Sequence, residues 1–143
     1  RFTRTSFYSF VGLLGKIDDL LALHGGSIVD YVCDEPCPIE KPSRIKVTST
    51  EPASSLNAKY SDIDINGHVN SIRYIEHILD LFPIELYKES RIRRFEMAYV
   101  AESYYGDELT FYKDYVGNGT YDIEVRKNGG EAVCRSKVIF VEK

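Results

Sequence analysis

The residues best equipped for chemistry lie in one run, Asp62-Ile63-Asp64-Ile65-Asn66-Gly67-His68-Val69-Asn70, followed at once by Ser71-Ile72-Arg73-Tyr74-Ile75-Glu76-His77-Ile78-Leu79. Asp64, Asn66 and His68 put a carboxylate, a carboxamide and an imidazole within five residues, where a polar loop becomes an amphipathic helix. A helix N-terminus offers free backbone N–H groups and a positive partial charge, so it can hold a developing oxyanion. Those are the parts of an acyl-transfer or hydrolysis site. Each residue alone also has a structural explanation. Asp64 or Asn66 can satisfy helix donors as an N-cap, Asn66 can close an Asx turn, and His68 can be a half-buried structural histidine. Taken together they point to chemistry. Asp64 would activate or position a water, or orient His68. Asn66 would donate to a carbonyl oxygen, and His68 would act as general acid or base, as a side chain that titrates near neutrality can.

The elements that must position this cluster are legible on both sides of it. Ile72, Ile75, Ile78, Leu79 and Phe82 recur at spacings of three and four, which predicts a helix starting within two residues of His68 and ending at Pro83. Tyr74 and Leu81 widen that apolar stripe, so a sheet is expected to wrap the helix. Upstream, Arg44-Ile45-Lys46-Val47-Thr48 alternates and reads as a short strand, with residues 49–59 a polar loop. Downstream come four strand candidates, at 92–102, 109–116, 121–126 and 132–141. Gly117-Asn118-Gly119 and Asn128-Gly129-Gly130 are tight-turn sequences, so the last three strands should form an antiparallel meander. One long helix against a curved antiparallel sheet is an α+β layout.

Composition narrows the function classes. A chain of 143 residues is long enough to bury a real core as one domain, and eleven Tyr and seven Phe with no Trp suit a β-rich protein. A net charge of −4 argues against a general nucleic-acid binder, and no apolar run approaches the ~20 residues that span a bilayer. Cys33 and Cys37 flank an acidic, proline-rich stretch but lack the matching pair a zinc site needs, and Cys134 reads as a small core residue. An odd, sparse cysteine count suits a reducing compartment, hence a cytoplasmic location. A start at Arg1 reads as a fragment or processed product, and the interrupted apolar stretch after it does not read as a signal peptide. Residues 2–11 alternate like a strand, residues 13–23 are weakly helical, and Pro36, Pro38 and Pro42 mark a linker.

A helix inside a wrapping sheet is the hotdog fold, and the motif resembles the acyl-ACP thioesterase family of plants and bacteria, whose members carry two tandem hotdogs. In that family an Asp-x-Asn-x-His-Val-Asn run opens the helix of the catalytic hotdog, matched here by Asp64, Asn66, His68, Val69 and Asn70, with Tyr74-Ile75 matching a Tyr-Ile inside the helix. A later strand of the family carries a catalytic Glu, then Cys, then an Asp a few residues on. Glu102 and Asp107 match, while Ser103 stands where the family has Cys. The resemblance implies a catalytic set of Asp64, Asn66, His68 and Glu102, with Glu102 either the general base for water or a nucleophile forming an acyl anhydride. Read without it, Glu102 is equally a solvated strand-end carboxylate.

What the resemblance implies is a thioester hydrolase releasing free fatty acid from acyl-ACP, or from acyl-CoA, with no metal and no cofactor. Its implied partners are acyl carrier protein and a second hotdog, in cis or as a second copy, and neither nucleic acid nor membrane. The chain has room for one complete hotdog, over 43–143. Residues 1–30 then read as the remnant of a preceding hotdog and 31–42 as the linker, so part of the substrate-binding surface would be contributed elsewhere. Two alternatives stand beside this. A hotdog enoyl-thioester hydratase usually has Asn-Pro before its His and one more residue between Asp and His than Asn66-Gly67-His68 allows. A non-catalytic hotdog would bind acyl groups or dimerise without turnover. Lys88, Arg91, Arg93 and Arg94 read as a docking patch for an acidic carrier protein or as the charged edge that resists aggregation. Tyr104-Tyr105 could line a tunnel or pack in a core, and His77 is out of phase with His68 and carries no expected role.

Overall fold

The computed structural model describes residues 2–3, 32–33, 36 and 38–143. The chain divides into two compact units, Arg1–Ser43 and Arg44–Lys143. In the first, β1 (Phe2–Thr3) pairs in parallel with β2 (Val32–Cys33). The rest of the expected N-terminal strand, the weak helix at 13–23 and Cys37 lie outside the described residues.

The second unit holds β3 (Ser54–Asn57), a 3-10 turn (Tyr60–Asp62), α1 (Ser71–Leu79), α2 (Ile84–Glu89), β4 (Ser90–Tyr99), β5 (Glu108–Gly117), β6 (Thr120–Lys127) and β7 (Glu131–Glu142). Its five strands form one antiparallel sheet in the order β3-β5-β6-β7-β4. The meander expected from the two Asn-Gly turns is present: Asn118 and Asn128 sit at φ 52° and 49°, in the left-handed region that Asn tolerates. Alternation then sorts the faces. Leu109 and Phe111 on β5, Ile123 and Val125 on β6, and Cys134, Val138 and Phe140 on β7 are buried, and Tyr74 and Ile78 of α1 with Phe82 complete the same core. On the opposite face Glu124 pairs with Arg126 and Arg135 at 2.6 and 2.7 Å, and Asp122 with Lys137 at 2.8 Å. Fully burying an apolar side chain such as Ile78 is worth about 1.5–3 kcal/mol, so this face is what docks the helix.

Three expectations need correction. Residues 44–48 form no strand; Thr48 instead gives its N–H and hydroxyl to the Asp114 carboxylate at 2.6 and 2.9 Å. The strand lies at Ser54–Asn57, inside the expected loop, paired with β5 from Ser54↔Phe111 to Asn57↔Glu108. Only Leu56 of it is even half-buried, so a short edge strand held by its ladder left no hydrophobic signal. The helix is also shorter than its stripe. It starts at Ser71, capped by Asn70, and ends at Leu79; Pro83 then caps the separate α2, too short for a periodicity to show. The curved sheet takes up the face of α1 that carries Tyr74 and Ile78, as expected of a sheet wrapping one helix, and Ile72 on the far side is 59% exposed. No helix among the described residues is long and apolar enough to cross a membrane.

Candidate active site

Asp64 is the hub of the loop before α1. Its Oδ1 accepts from the backbone N–H of Asn66 at 2.8 Å and of His68 at 3.1 Å, while its own N–H donates to the His68 carbonyl at 2.8 Å. Gly67 closes the turn by donating to the Asp64 carbonyl at 3.1 Å, at φ +84°, where a side chain would be strained. Two further main-chain bonds seat the end of the loop: Val69 N–H to the Ser103 carbonyl at 2.8 Å and Asn70 N–H to the Asp62 carbonyl at 2.7 Å. The Asn70 side chain then accepts from Ile72 N–H at 3.0 Å, as an N-cap should.

This wiring corrects one expectation. The N–H groups of Asn66, Gly67, His68, Val69, Asn70 and Ile72 are all donated within the chain, so most of the amides the helix start was expected to offer an oxyanion are already spent. Side-chain donors are what this loop can present.

Across from the loop, β4 ends at Tyr99, and Glu102 lies in the connection to β5 rather than in the expected strand. The Glu102 carbonyl accepts from Lys127 Nζ at 2.8 Å. Asp107 closes the same connection, accepting from Tyr104 N–H and Asn128 Nδ2, both at 2.9 Å. Those bonds, Asn128 first, hold the Asp107 carboxyl below the usual carboxylate range. A backbone bridge between His68 and Tyr104 joins the two walls.

The structure brings His68 and Glu102 together, with Nε2 3.4 Å from Oε2. The same Oε2 accepts from the Tyr104 hydroxyl at 3.3 Å, and the Tyr104 ring meets His68 edge-on at 5.3 Å. Side-chain exposures of 33% for His68 and 62% for Glu102 leave the pair open to a substrate. Asp64 reaches His68 through its main chain, its carboxylate on the N–H rather than on the ring. Asn66 joins by its N–H and is otherwise exposed.

Ser103 sits behind this pair. It is 1% exposed, and its hydroxyl is hydrogen-bonded to that of Tyr74, whose pKa burial pushes up to about 12. Cys134 is in the core, as its sequence context suggested, with its thiol likewise pushed up to about 12 by burial. Among the described residues no group of three or more His, Cys, Asp or Glu is placed to hold a metal ion. His77 escaped the sequence reading, and Tyr104, read there only as a tunnel or core residue, contacts Glu102. Tyr104 is half exposed on the site itself, and His77 pairs with Asp62 at 3.1 Å.

The start of α1 carries an imidazole that a carboxylate from the β4–β5 connection faces, and one helix against a five-stranded antiparallel sheet is the layout of a hotdog fold. The profile of the acyl-ACP thioesterase C-terminal domain matches residues 45–142, and the chain belongs to that family. The crystal structure of an acyl-ACP thioesterase from Bacteroides thetaiotaomicron is 78% identical, with TM-score 0.78, over 82% of this chain and 49% of that one. The 12:0-ACP thioesterase from Umbellularia californica shares the fold at 20% identity and TM-score 0.68, over 85% of this chain and 48% of that one. The chloroplastic dodecanoyl-[acyl-carrier-protein] hydrolase of Cinnamomum camphora is 29% identical over 79 residues, 54% of this chain and 21% of that protein. The chain thus spans about half the length of the two solved thioesterases and less of the curated relative.

Proposed function

We infer that this chain is the catalytic hotdog of a hydrolase that releases free fatty acid from acyl-ACP, with Asp64, Asn66, His68 and Glu102 as its working residues. The observation that carries the reading is the 3.4 Å approach of His68 to Glu102 on two walls that the backbone bridge holds together. Both contacts to Glu102 fall on Oε2, so Oε1 is the oxygen to take a proton from water. Water then attacks the thioester carbonyl carbon, and the Asn66 carboxamide and the His68 ring donate to the oxyanion that develops. The C–S bond breaks as the tetrahedral intermediate collapses, and the proton taken by Glu102 returns through His68 to the leaving thiolate. No step calls on a cofactor.

Acyl carrier protein is the proposed partner, and the family supports it. Lys88, Arg91 and Arg93 are exposed where α2 passes into β4, although Glu85 and Glu89 lie among them and β4 is an edge strand that charge also protects. A second hotdog, in cis or as a second copy, is supported by the length of the solved relatives and by exposed Ile72, Val100, Tyr104 and Tyr105 beside the site. The division of the chain after Ser43 supports a hotdog over 43–143, and the length of the solved relatives supports residues 1–30 as the end of a preceding hotdog and 31–42 as linker, although β2 pairs with β1 across the boundary between those two. A reducing, cytoplasmic setting fits the buried free thiol of Cys134. Assaying acyl-ACP, acyl-CoA and enoyl-CoA side by side tests the reaction: free fatty acid from the acyl thioesters is expected. Hydration of enoyl-CoA without hydrolysis would overturn the reading, and binding without turnover would leave a non-catalytic module.

A further inference from the structure

We propose that His77, through the buried carboxylate of Asp62, is a positioning residue that holds His68 at its working distance from Glu102; this rests on the hydrolase reading above. Three contacts run from α1 and its N-cap onto the 3-10 turn. Asn70 N–H donates to the Asp62 carbonyl at 2.7 Å, Arg73 Nε to the Ser61 carbonyl at 3.0 Å, and His77 Nε2 lies 3.1 Å from Asp62 Oδ1. Positions 70, 73 and 77 follow one another at three and four residues, so they form a single polar stripe along the helix.

That stripe closes the catalytic loop. Residues 62 and 70 are its two ends, tied by the Asp62 carbonyl, and Asp64, Asn66 and His68 lie between them. The far side of the loop is bonded to the Glu102 connection by Val69 N–H on the Ser103 carbonyl and by the His68–Tyr104 bridge, so the tie between residues 62 and 70 fixes the near side and with it the angle at which the His68 ring meets Glu102. Asp62 carries the tie because it is only 6% exposed and works three ways. Its Oδ2 accepts from Lys59 N–H at 2.8 Å, its Oδ1 meets His77, and its carbonyl holds Asn70. An ionised carboxylate only accepts, so His77 must carry its proton on Nε2. The His77 ring is fixed in turn edge-on to Phe111 of the sheet, at 6.2 Å. The chain of contact therefore runs from the core, through His77 and Asp62, to both ends of the loop. A buried carboxylate stripped of its partner is costly, so losing His77 should release Asp62 and loosen the loop.

The test uses the full-length protein, with His77→Leu, His77→Gln and His68→Ala assayed for acyl-thioester hydrolysis beside thermal melts. Gln keeps an N–H that can reach Asp62, and Leu keeps the bulk without it. The expected result is a kcat lowered roughly tenfold to a hundredfold in His77→Leu, the scale of a small misplacement of a catalytic group. KM should stay within about twofold and His77→Gln should recover most of the rate. If Leu does not fold, His77→Asn, whose shorter amide falls short of Asp62, takes its place. A parental kcat in the Leu or Asn variant overturns the proposal, as does a Gln variant that melts like the parent yet loses as much rate as Leu. If His68→Ala is inactive while His77→Leu is parental, only the clamp fails; if His68→Ala keeps full activity, the hydrolase site itself is misassigned and both fall.

Discussion

At the scale of the residue, the site separates groups that react from groups that hold. His68→Ala and Glu102→Ala should each lower kcat on the order of 10²-fold or more, since each removes one of the two proton-handling groups that meet at 3.4 Å. Ser103→Ala should behave differently. Its hydroxyl is buried against that of Tyr74, and among the described residues no base stands beside it, so kcat should change little. Stability should fall by about 1–3 kcal/mol, because the Tyr74 hydroxyl loses its partner in the core. Steady-state kinetics with thermal melts separate the two effects; a Ser103→Ala enzyme that is stable but dead would make Ser103 the nucleophile. The four residues proposed to act stand out in the sequence by type and order, three in one short run and Glu102 in the connection after β4, and of these His68 and Glu102 meet through their side chains. The N–H groups that Asp64 and its neighbours consume were not legible, since a main-chain donor looks the same in sequence whether spent or free. Nor was the His77–Asp62 pair, which joins residues fifteen apart through a turn that no periodicity marks.

At the scale of the element, what could be read depended on how each element is held. β5, β6 and β7 alternate between core and charged faces, and their turns are written in Asn-Gly pairs, so they fall within a residue or two of their expected places. β3 is a strand only because β5 offers it a ladder, and α2 is six residues long; neither carries a pattern of its own. The two turns of the meander give a comparison that tests the register directly. Gly119 and Gly129 both have positive φ, +68° and +76°, but a Cβ at Gly119 would strike the Phe140 carbonyl, while one at Gly129 would meet open space. Gly129→Ala should therefore cost only the left-handed strain, about 1–2 kcal/mol. Gly119→Ala must also push β7 away from the turn and should cost clearly more. Urea melts of the two variants check this, and equal losses would mean that the β6–β7 register is not the one described.

For the molecule as a whole, the buried titratable groups set a pH window of stability, and its alkaline edge is the sharper expectation. Tyr74 and Cys134 share the core beneath α1, and burial raises both to about 12, from ordinary values of 10.0 and 9.0. A folded-state pKa above the unfolded one means that the unfolded chain gives up its proton first. The stabilisation is thus complete below the unfolded values and is lost as pH rises from about 9 toward 12. Shifts of two to three units correspond to several kcal/mol, about 1.4 per unit, enough to consume much of a small domain's stability. The acid side has the opposite sign. Burial raises the pKa of Asp62 and of Glu124, but Lys59 N–H and His77 outweigh it in one and Arg135 and Arg126 in the other, so both are lowered. Their contribution is present above about pH 4 and is lost below it. Urea denaturation from pH 4 to 11 under reducing conditions should show a plateau with a steep fall beyond about pH 9. Cys134→Ala should be somewhat less stable on the plateau, from the small cavity it leaves, yet should begin its fall nearer pH 10, where Tyr74, Tyr87 and Tyr99, all raised by burial, remain. An alkaline limb that keeps its onset in Cys134→Ala would show that the thiol is not what sets the upper edge.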